Sequence, residues 1–245
     1  DNTPCIGVIR LPHIANFTDI DPLLHIKGLN VVFLETVQSL DMLKALIIPG
    51  SKNTRNDLNW LHETGWGVCI QQYITQGGYI LGICGGYQML GRSVHDPEGI
   101  EGLAGSTLGL GLLPVETYLK APKTTRLISF TWDLAKGMGY EIHMGQTLRF
   151  GEYPLFEVLS NDPLNPFSED GCRTDNFRVI GTYIHGCLDN PGILQKWFDI
   201  LSLKTIQAPE ISGHLMRDKA YDHLVEHFVN HIDMNQLMTT LLCVV

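Results

Sequence analysis

In the first third of the chain, short apolar runs alternate with longer stretches in which apolar residues recur at helical spacing. Four such runs lie at 6–11, 31–34, 45–48 and 79–84. Runs this short and this rich in Val, Ile and Leu are typical of strands buried on both faces of a parallel sheet. A helix is predicted over 66–74, ending at two glycines. Strands that alternate with helices indicate βαβ units, so the pattern predicts an α/β fold with a mostly parallel sheet flanked by helices.

The second half of the chain predicts further strands, which we expect to be antiparallel additions to that sheet, at 115–119, 127–132, 140–147 and 156–159. A last buried strand is predicted at 178–185, followed by helices at 193–203 and 221–232. The glycine-rich segment 99–111 and the polar segment 161–176 predict loops.

Composition narrows the class of protein. Of 245 residues, 44% are hydrophobic and 18% are charged, which suits one globular domain over 1–245, with a catalytic core at about 6–205 and a helical C-terminal segment at about 206–245. The net charge of -9 argues against a nucleic-acid partner. No run approaches the roughly 18 apolar residues that span a bilayer, so we expect no membrane partner. Six cysteines without zinc-site spacing predict a reduced, cytoplasmic protein without a metal.

The sharpest chemical feature is GGYILGICGGYQMLG at 77–91. An apolar strand runs into Cys84, and two glycines then open a helix, which is the pattern of a nucleophile elbow with sulfur in place of a hydroxyl. At the start of a helix the thiolate is favoured, and the N–H of Gly85 is placed to stabilise an oxyanion. The alternative is a small buried cysteine in a tight junction, but the surrounding glycines favour catalysis.

A cysteine nucleophile requires a base, which is usually a histidine from a distant part of the chain. Of the ten histidines, His185 ends an apolar strand in VIGTYIHG, and His143 lies in YEIHMG. We place His185 ahead of His143 as the base.

A second loop, IIPGSKNT at 47–54, ends the third predicted strand. Ligands of open parallel sheets bind beyond the carboxyl ends of the strands. Gly50 and Ser51 are therefore candidates for the other half of an oxyanion hole, although an ordinary turn between a strand and a helix explains the loop equally well.

These residues resemble class I glutamine amidotransferases, whose elbow G-x-C-x-G-x-Q fits GICGGYQMLG. Within that family, several collinear segments are similar to the cobyric acid synthase branch over about residues 6–230. These segments are VIRLPHIANFTDIDPL, IPGSKNTRNDLNWL, DPEGIEG, GLGLLPVET and GYEIHMGQT. The resemblance implies a class I glutamine amidotransferase-like, flavodoxin-like fold.

The resemblance also implies a mechanism. Cys84 attacks the side-chain amide of glutamine to form a thioester, and His185 activates the thiol and protonates the departing ammonia. Gly50 and Gly85 hold the oxyanion, and Gln88 matches the position that contacts glutamine. Ammonia then amidates carboxylates of a corrinoid acceptor, in steps that use ATP and Mg²⁺ on a separate N-terminal ATP-binding domain or subunit. No cofactor is expected in this domain.

The chain departs from the family pattern at two points. Class I amidotransferases usually carry a glutamate two residues after the histidine, where this chain has Cys187, so the group that orients His185 is left open between Glu141 and a backbone carbonyl. No GxxxxGK[ST] motif is present, so the ATP-dependent half of the reaction is not expected here.

Three other functions compete with this interpretation. One is a glutaminase subunit that serves cell-wall precursor amidation, and another is a non-catalytic binding module of the same fold, which the Cys187 substitution favours. A metal site built from Cys84, His143 and His185 has no supporting ligand spacing.

Overall fold

The computed structural model describes residues 3–151, 153–159 and 166–242. Within these ranges the strands are β1 (Cys5–Ile9), β2 (Ile14–Ala15), β3 (Asn30–Leu34), β4 (Leu43–Ile48), β5 (Gly50–Ser51), β6 (Ile80–Ile83), β7 (Ser93–Asp96), β8 (Gly105–Leu108), β9 (Val115–Tyr118), β10 (Thr124–Trp132), β11 (Ala135–His143), β12 (Gln146–Arg149), β13 (Phe156–Leu159), β14 (Phe167–Asp170), β15 (Cys172–Arg173) and β16 (Val179–Thr182). The helices are α1 (Asp21–Leu24), α2 (Thr54–Glu63), α3 (Trp66–Thr75), α4 (Gly85–Leu90), α5 (Pro191–Ile200), α6 (Gly213–His231) and α7 (Met234–Leu242). Two 3₁₀ turns lie at Phe17–Asp19 and Cys187–Asp189.

A six-stranded sheet in the order β15-β16-β6-β4-β1-β3 forms the framework. Its strands are parallel except β15, which pairs antiparallel with β16. Every residue of β6 and β16 is buried, as expected for strands covered on both faces. The predicted α/β class and mostly parallel sheet are confirmed, because the apolar runs of the first third fall on β1, β3, β4 and β6.

The antiparallel strands are present, but apart from β15 they do not extend the central sheet. They form two four-stranded sheets, ordered β11-β10-β13-β14 and β12-β9-β7-β8, and β7 and β9 pair in parallel within the second. The strand predicted at 140–147 is divided between the two sheets. The chain turns at Gly145, whose φ of +89° is readily adopted by glycine alone.

Two predicted loops contain strands. The glycine-rich segment includes β8, and the polar segment includes β14 and β15, while 161–165 lie outside the described residues. Three of the four residues of β14 are exposed, and β14 is the edge strand of its sheet. A polar edge strand lacks the apolar alternation that predicts strands, which is why the sequence indicated a loop.

The helix predicted at 221–232 is α6, which begins eight residues earlier, at Gly213, where Ser212 caps it. The Ser212 Oγ accepts a hydrogen bond of 3.3 Å from the backbone N–H of Leu215, which satisfies a free donor of the first turn. Among the described residues, no helix combines the length and apolarity needed to cross a lipid bilayer.

Candidate active site

Cys84 lies at the turn between β6 and α4, at the carboxyl edge of the central sheet. Its φ of +52° is unusual for a residue with a side chain, and strain of this kind is characteristic of functional turns. A Cβ added at Gly86 would lie 1.9 Å from the carbonyl oxygen of Ile48, and one at Gly82 would lie 2.8 Å from the Gly86 backbone. Gly86 is therefore required by the close contact between the elbow and the end of β4, and Gly82 by its contact with Gly86 within the elbow.

We expect Gly86→Ala to destabilise the fold by about 3 kcal/mol or more, because the added methyl group meets backbone atoms that cannot rotate away. The free energy of unfolding from urea titration measures the effect. Gly192→Ala is the control, since its Cβ would meet Ala135 at an ordinary 3.5 Å. Equal stability of the two variants would contradict the close contact between the elbow and β4.

His185 follows β16 and has a fully buried side chain. Its Nδ1 lies 2.7 Å from Oδ2 of Asp19, and the other oxygen of Asp19 accepts a hydrogen bond of 2.8 Å from the backbone N–H of Gly186. The ring also stacks on Tyr140, with centroids 5.1 Å apart. Asp19 is therefore the carboxylate that orients His185, a function that sequence reasoning missed. On the other ring nitrogen, Nε2, the side-chain amide of Asn16 lies 3.0 Å away.

Glu141 does not take that place. Its carboxylate accepts a hydrogen bond of 2.7 Å from Nε of Arg126 and lies 3.8 Å from Nε2 of His143. The other candidate for orienting His185 was a backbone carbonyl, but the atom that lies 2.7 Å from Nδ1 is a carboxylate oxygen of Asp19. Position 187, where the family usually has glutamate, holds a buried cysteine, and the acidic partner instead comes from a segment 166 residues earlier in the chain.

The surroundings of His185 favour its charged form. Burial lowers the pKa of His185, but the hydrogen bonds to Asp19 and Cys84 and the negative charges of both groups outweigh burial and raise it to about 10. An imidazolium next to a cysteine stabilises the thiolate and holds a proton that it can give to a departing amine.

His143 is the last residue of β11. Its ring stacks on Tyr183 with centroids 3.8 Å apart, and its Nδ1 has no hydrogen-bond partner among the described residues. It lines the pocket that contains Cys84. The Cys84 thiol donates to the carbonyl of Ile142 at 3.9 Å, and His185 is the histidine whose pKa Cys84 helps to raise.

The second predicted loop lies against the elbow. Gly50 and Ser51 pair with Ala15 and Ile14 as β5 and β2, and a Cβ added at Gly50 would lie 3.4 Å from Cε1 of His185. The Ser51 hydroxyl donates a hydrogen bond of 2.6 Å to the buried carboxylate of Asp57. The loop is thus a fixed part of the site.

A cavity of about 300 Å³ opens above Cys84. The predicted residues Gly50, Ser51, Gln88 and His143 line it together with Cys84. Gly85 lies next to this wall, and a Cβ added there would be 2.9 Å from the backbone N of Ser51. The structure therefore brings the predicted loop, the elbow and His143 to one pocket.

The amide of Gln88 is bonded on both sides within the protein. Its oxygen accepts a hydrogen bond of 2.9 Å from Thr54, and its nitrogen donates to the carbonyl of Met144 at 3.2 Å and to the Tyr183 hydroxyl at 3.0 Å. These bonds fix the amide in the wall of the pocket.

Five charged or polar side chains that sequence reasoning did not assign also line the pocket: Asn16, Lys52, Thr54, Glu101 and Lys123. The Glu101 carboxylate lies 3.5 Å from the Thr54 hydroxyl and accepts a hydrogen bond of 3.3 Å from the backbone N–H of Arg55. Burial is the main cause of its raised pKa. Glu101 belongs to the segment DPEGIEG, whose acidic residues were the available signal.

Comparison with known proteins places this geometry in a family. Residues 5–193 match the CobB/CobQ-like glutamine amidotransferase domain. Cobyric acid synthase of Pelodictyon phaeoclathratiforme is 39% identical over 237 residues, and that of Chlorobaculum tepidum is 40% identical over 237 residues. These alignments cover 96% and 95% of this chain but 46% of each relative, so the chain spans about half the length of the curated relatives it matches.

Two solved structures share the fold. The structure of PurLQS from Thermotoga maritima aligns with a TM-score of 0.61 at 14% identity, covering 81% of this chain and 99% of the other. A glutamine amidotransferase crystal structure aligns with a TM-score of 0.60 at 18% identity, covering 80% and 98%. With the family match over residues 5–193, these findings show that the chain belongs to the CobB/CobQ-like glutamine amidotransferases.

Proposed function

We propose that this chain is the glutaminase part of a cobyric acid synthase, with Cys84 as the nucleophile. The observation that carries the proposal is the strained turn at Cys84 beside His185, which Asp19 holds by a hydrogen bond of 2.7 Å. A thiol, an imidazole and a carboxylate linked in this order form the arrangement that activates a cysteine. The acid supplied by Asp19 also weakens the binding-module alternative, which rested on the absence of glutamate at 187.

The proposed reaction has two halves. The Cys84 thiolate attacks the side-chain carbonyl carbon of glutamine, and the oxyanion forms near the backbone N–H groups of Gly85 and the Gly50 loop. His185 gives its proton to the nitrogen as the C–N bond breaks, which leaves ammonia and a thioester on Cys84. Water, deprotonated by His185, then attacks the thioester and releases glutamate.

The charges of the pocket suit the amino-acid end of glutamine. The Glu101 carboxylate is a partner for the α-ammonium group, and Lys52 and Lys123 are partners for the α-carboxylate. The same pocket thus offers groups of opposite charge to the two ends of a zwitterion.

We expect Glu101→Gln to raise the KM for glutamine by about tenfold to a hundredfold, because it removes a charged hydrogen-bond partner. The kcat should change little, since Glu101 does not touch the reacting amide. Initial rates of glutamate formation at varied glutamine measure both constants. Glu98→Gln, on the same loop but exposed, is the control, and a loss confined to kcat would contradict the assignment of Glu101 to substrate binding.

The ammonia is proposed to serve amidation elsewhere in a longer enzyme. In this proposal an ATP-binding synthetase half, which uses Mg²⁺, activates the b, d, e and g carboxylates of adenosylcobyrinic acid a,c-diamide in cobalamin biosynthesis. The proposal is supported by the relatives named cobyric acid synthase, of which this chain matches the C-terminal half.

The test is whether the chain releases ammonia from glutamine, alone and with the synthetase half. The full proposal requires glutamine-driven amidation of the corrinoid. Glutamine hydrolysis without corrinoid amidation would support the glutaminase function and show that the acceptor is a different molecule. The absence of hydrolysis with the synthetase half bound would refute the glutaminase function.

A further inference from the structure

The second half of α6 carries an apolar stripe that faces solvent. Five large side chains lie at spacings of three and four residues, so they share one face of the helix. They are 44–63% exposed and are Tyr221, Leu224, Val225, Phe228 and Val229. Ile232, the residue that follows the helix, is 39% exposed. The opposite face carries polar residues such as His223 and Asn230. A continuous apolar stripe of this size on a helix is typical of a surface that a partner covers.

The first turns of α6 are anchored beside the candidate catalytic histidine. The guanidinium of Arg217 donates hydrogen bonds of 3.0 Å and 2.6 Å to the two carboxylate oxygens of Asp189. Asp189 lies in the 3₁₀ turn that follows His185, and its backbone N–H bonds to the carbonyl of Gly186 at 3.1 Å. Gly213 packs against Asp189 and Pro22, since a Cβ there would lie 2.2 Å from Oδ1 of Asp189. The stripe therefore extends from a base that is fixed to the catalytic region.

The relatives are longer than this chain, and their additional length is a candidate to cover the stripe. This chain corresponds to the C-terminal half of proteins of which it spans only 46–47%, so more than half of their length lies outside it. We propose that the apolar stripe of α6 is the surface on which the ATP-binding half of the full-length enzyme docks. The inference rests on the proposed function, because a half that consumes ammonia must lie near the site of ammonia release. A second copy of this chain has no such need, since it produces ammonia itself.

Hydrogen–deuterium exchange of α6 tests the proposal. Amide exchange over 218–232 is compared between this 245-residue chain, held at a concentration where light scattering gives a monomer, and the same chain with the ATP-binding half, supplied in one polypeptide or as a subunit. We expect exchange to slow by about tenfold or more when that half is present. Equal exchange in the two samples would overturn the proposal, as would protection that accompanies a dimer mass in this chain alone.

Variants of the stripe provide the second measurement. Leu224→Asp combined with Phe228→Asp should remove the protection and lower glutamine-driven amidation by about tenfold or more, because charges then enter a buried apolar contact. Amidation driven by added ammonia should stay within about twofold, since docking is needed for ammonia transfer and not for ATP chemistry. The matched control, His223→Asp with Asn230→Asp, places the same charges on the opposite face and should retain protection. Loss of protection in the control alone would place the interface on the other face of α6.

The two proposals fail in different ways. Both variants leave the pocket untouched, so glutamine hydrolysis by this chain alone should be unchanged. Protection of α6 by the ATP-binding half in a protein that hydrolyses no glutamine would support the docking surface and refute the glutaminase. Hydrolysis that depends on Cys84, with no protection of α6 by the ATP-binding half, would support the glutaminase and refute the docking surface.

Discussion

Replacing Cys84 with alanine should reduce glutamine hydrolysis by about 10⁴-fold or more, because loss of a nucleophile removes the covalent route and leaves only weak catalysis by the remaining groups. Ammonia release from glutamine, measured with the synthetase half present, records the loss. Amidation driven by added ammonia should continue, since it bypasses the thiol. The KM for any residual reaction should stay close to that of the unaltered chain, because the walls of the pocket are intact.

The control for this variant is Cys172→Ala, which removes another buried thiol on β15, away from the pocket. It should hydrolyse glutamine at nearly the normal rate. The nucleophile assignment would be wrong if Cys84→Ala retained a tenth of the activity. Equal loss in both variants would show instead that the domain does not tolerate removal of a buried thiol.

The inner strands of the parallel sheet were predictable because they are buried on both faces. The edge strand β3 is apolar but mostly exposed, so the expectation of burial on both faces was wrong there. The last four residues of β4 and all of β6 read as continuous apolar runs, and the glycines at the end of β6 mark the sharp turn that follows. The candidate nucleophile was predictable for the same reason, since Cys84 stands between the strand signal and the helix signal. Because the Gly50 loop follows a parallel strand at its carboxyl end, we expected it to lie near Cys84, and the structure places it there.

The sheets of the second half were less predictable because sequence pattern identifies strands but not their partners. β11 and β12 read as one run, and only the turn at Gly145 separates them into different sheets. Edge strands such as β14 expose most of their residues and lack any apolar alternation. Pairing depends on contacts between distant segments, which local periodicity does not record.

Asp19 escaped prediction for a related reason. Family pattern directs attention to the position two residues after the histidine, yet the carboxylate that bonds His185 lies 166 residues away in the chain. Its sequence neighbourhood, NFTDID, contains two aspartates, and nothing local separates the buried Asp19 from the partly exposed Asp21. The fold makes the distinction, because the turn at Phe17–Asp19 packs against the turn after His185.

We expect Asp19→Asn to lower kcat for glutamine hydrolysis by about 10³-fold to 10⁴-fold, as loss of the orienting carboxylate does in other triads. The amide cannot accept from Nδ1 as an anion does, so His185 loses both its orientation and the charge that stabilises imidazolium. The hydrogen bond and charge of Asp19 help to raise the pKa of His185 to about 10, against the lowering effect of burial. Without Asp19 that pKa falls, and the alkaline limb of the pH–kcat profile should shift to lower pH.

A stability measurement distinguishes this positioning role from a general loss of structure. A histidine whose pKa is raised on folding, here from 6.5 to about 10, stabilises the fold fully below about pH 6.5 and loses this contribution as pH rises through about 10. The difference in unfolding free energy between the unaltered chain and Asp19→Asn should therefore be largest below pH 6.5 and shrink toward pH 10. Asp21→Asn is the matched control and should change neither the profile nor the pH dependence of stability. A loss of kcat with an unshifted alkaline limb would mean that Asp19 only holds the turn together. An alkaline limb at lower pH, together with a stability difference that shrinks toward pH 10, would identify Asp19 as the carboxylate that sets the charge of His185.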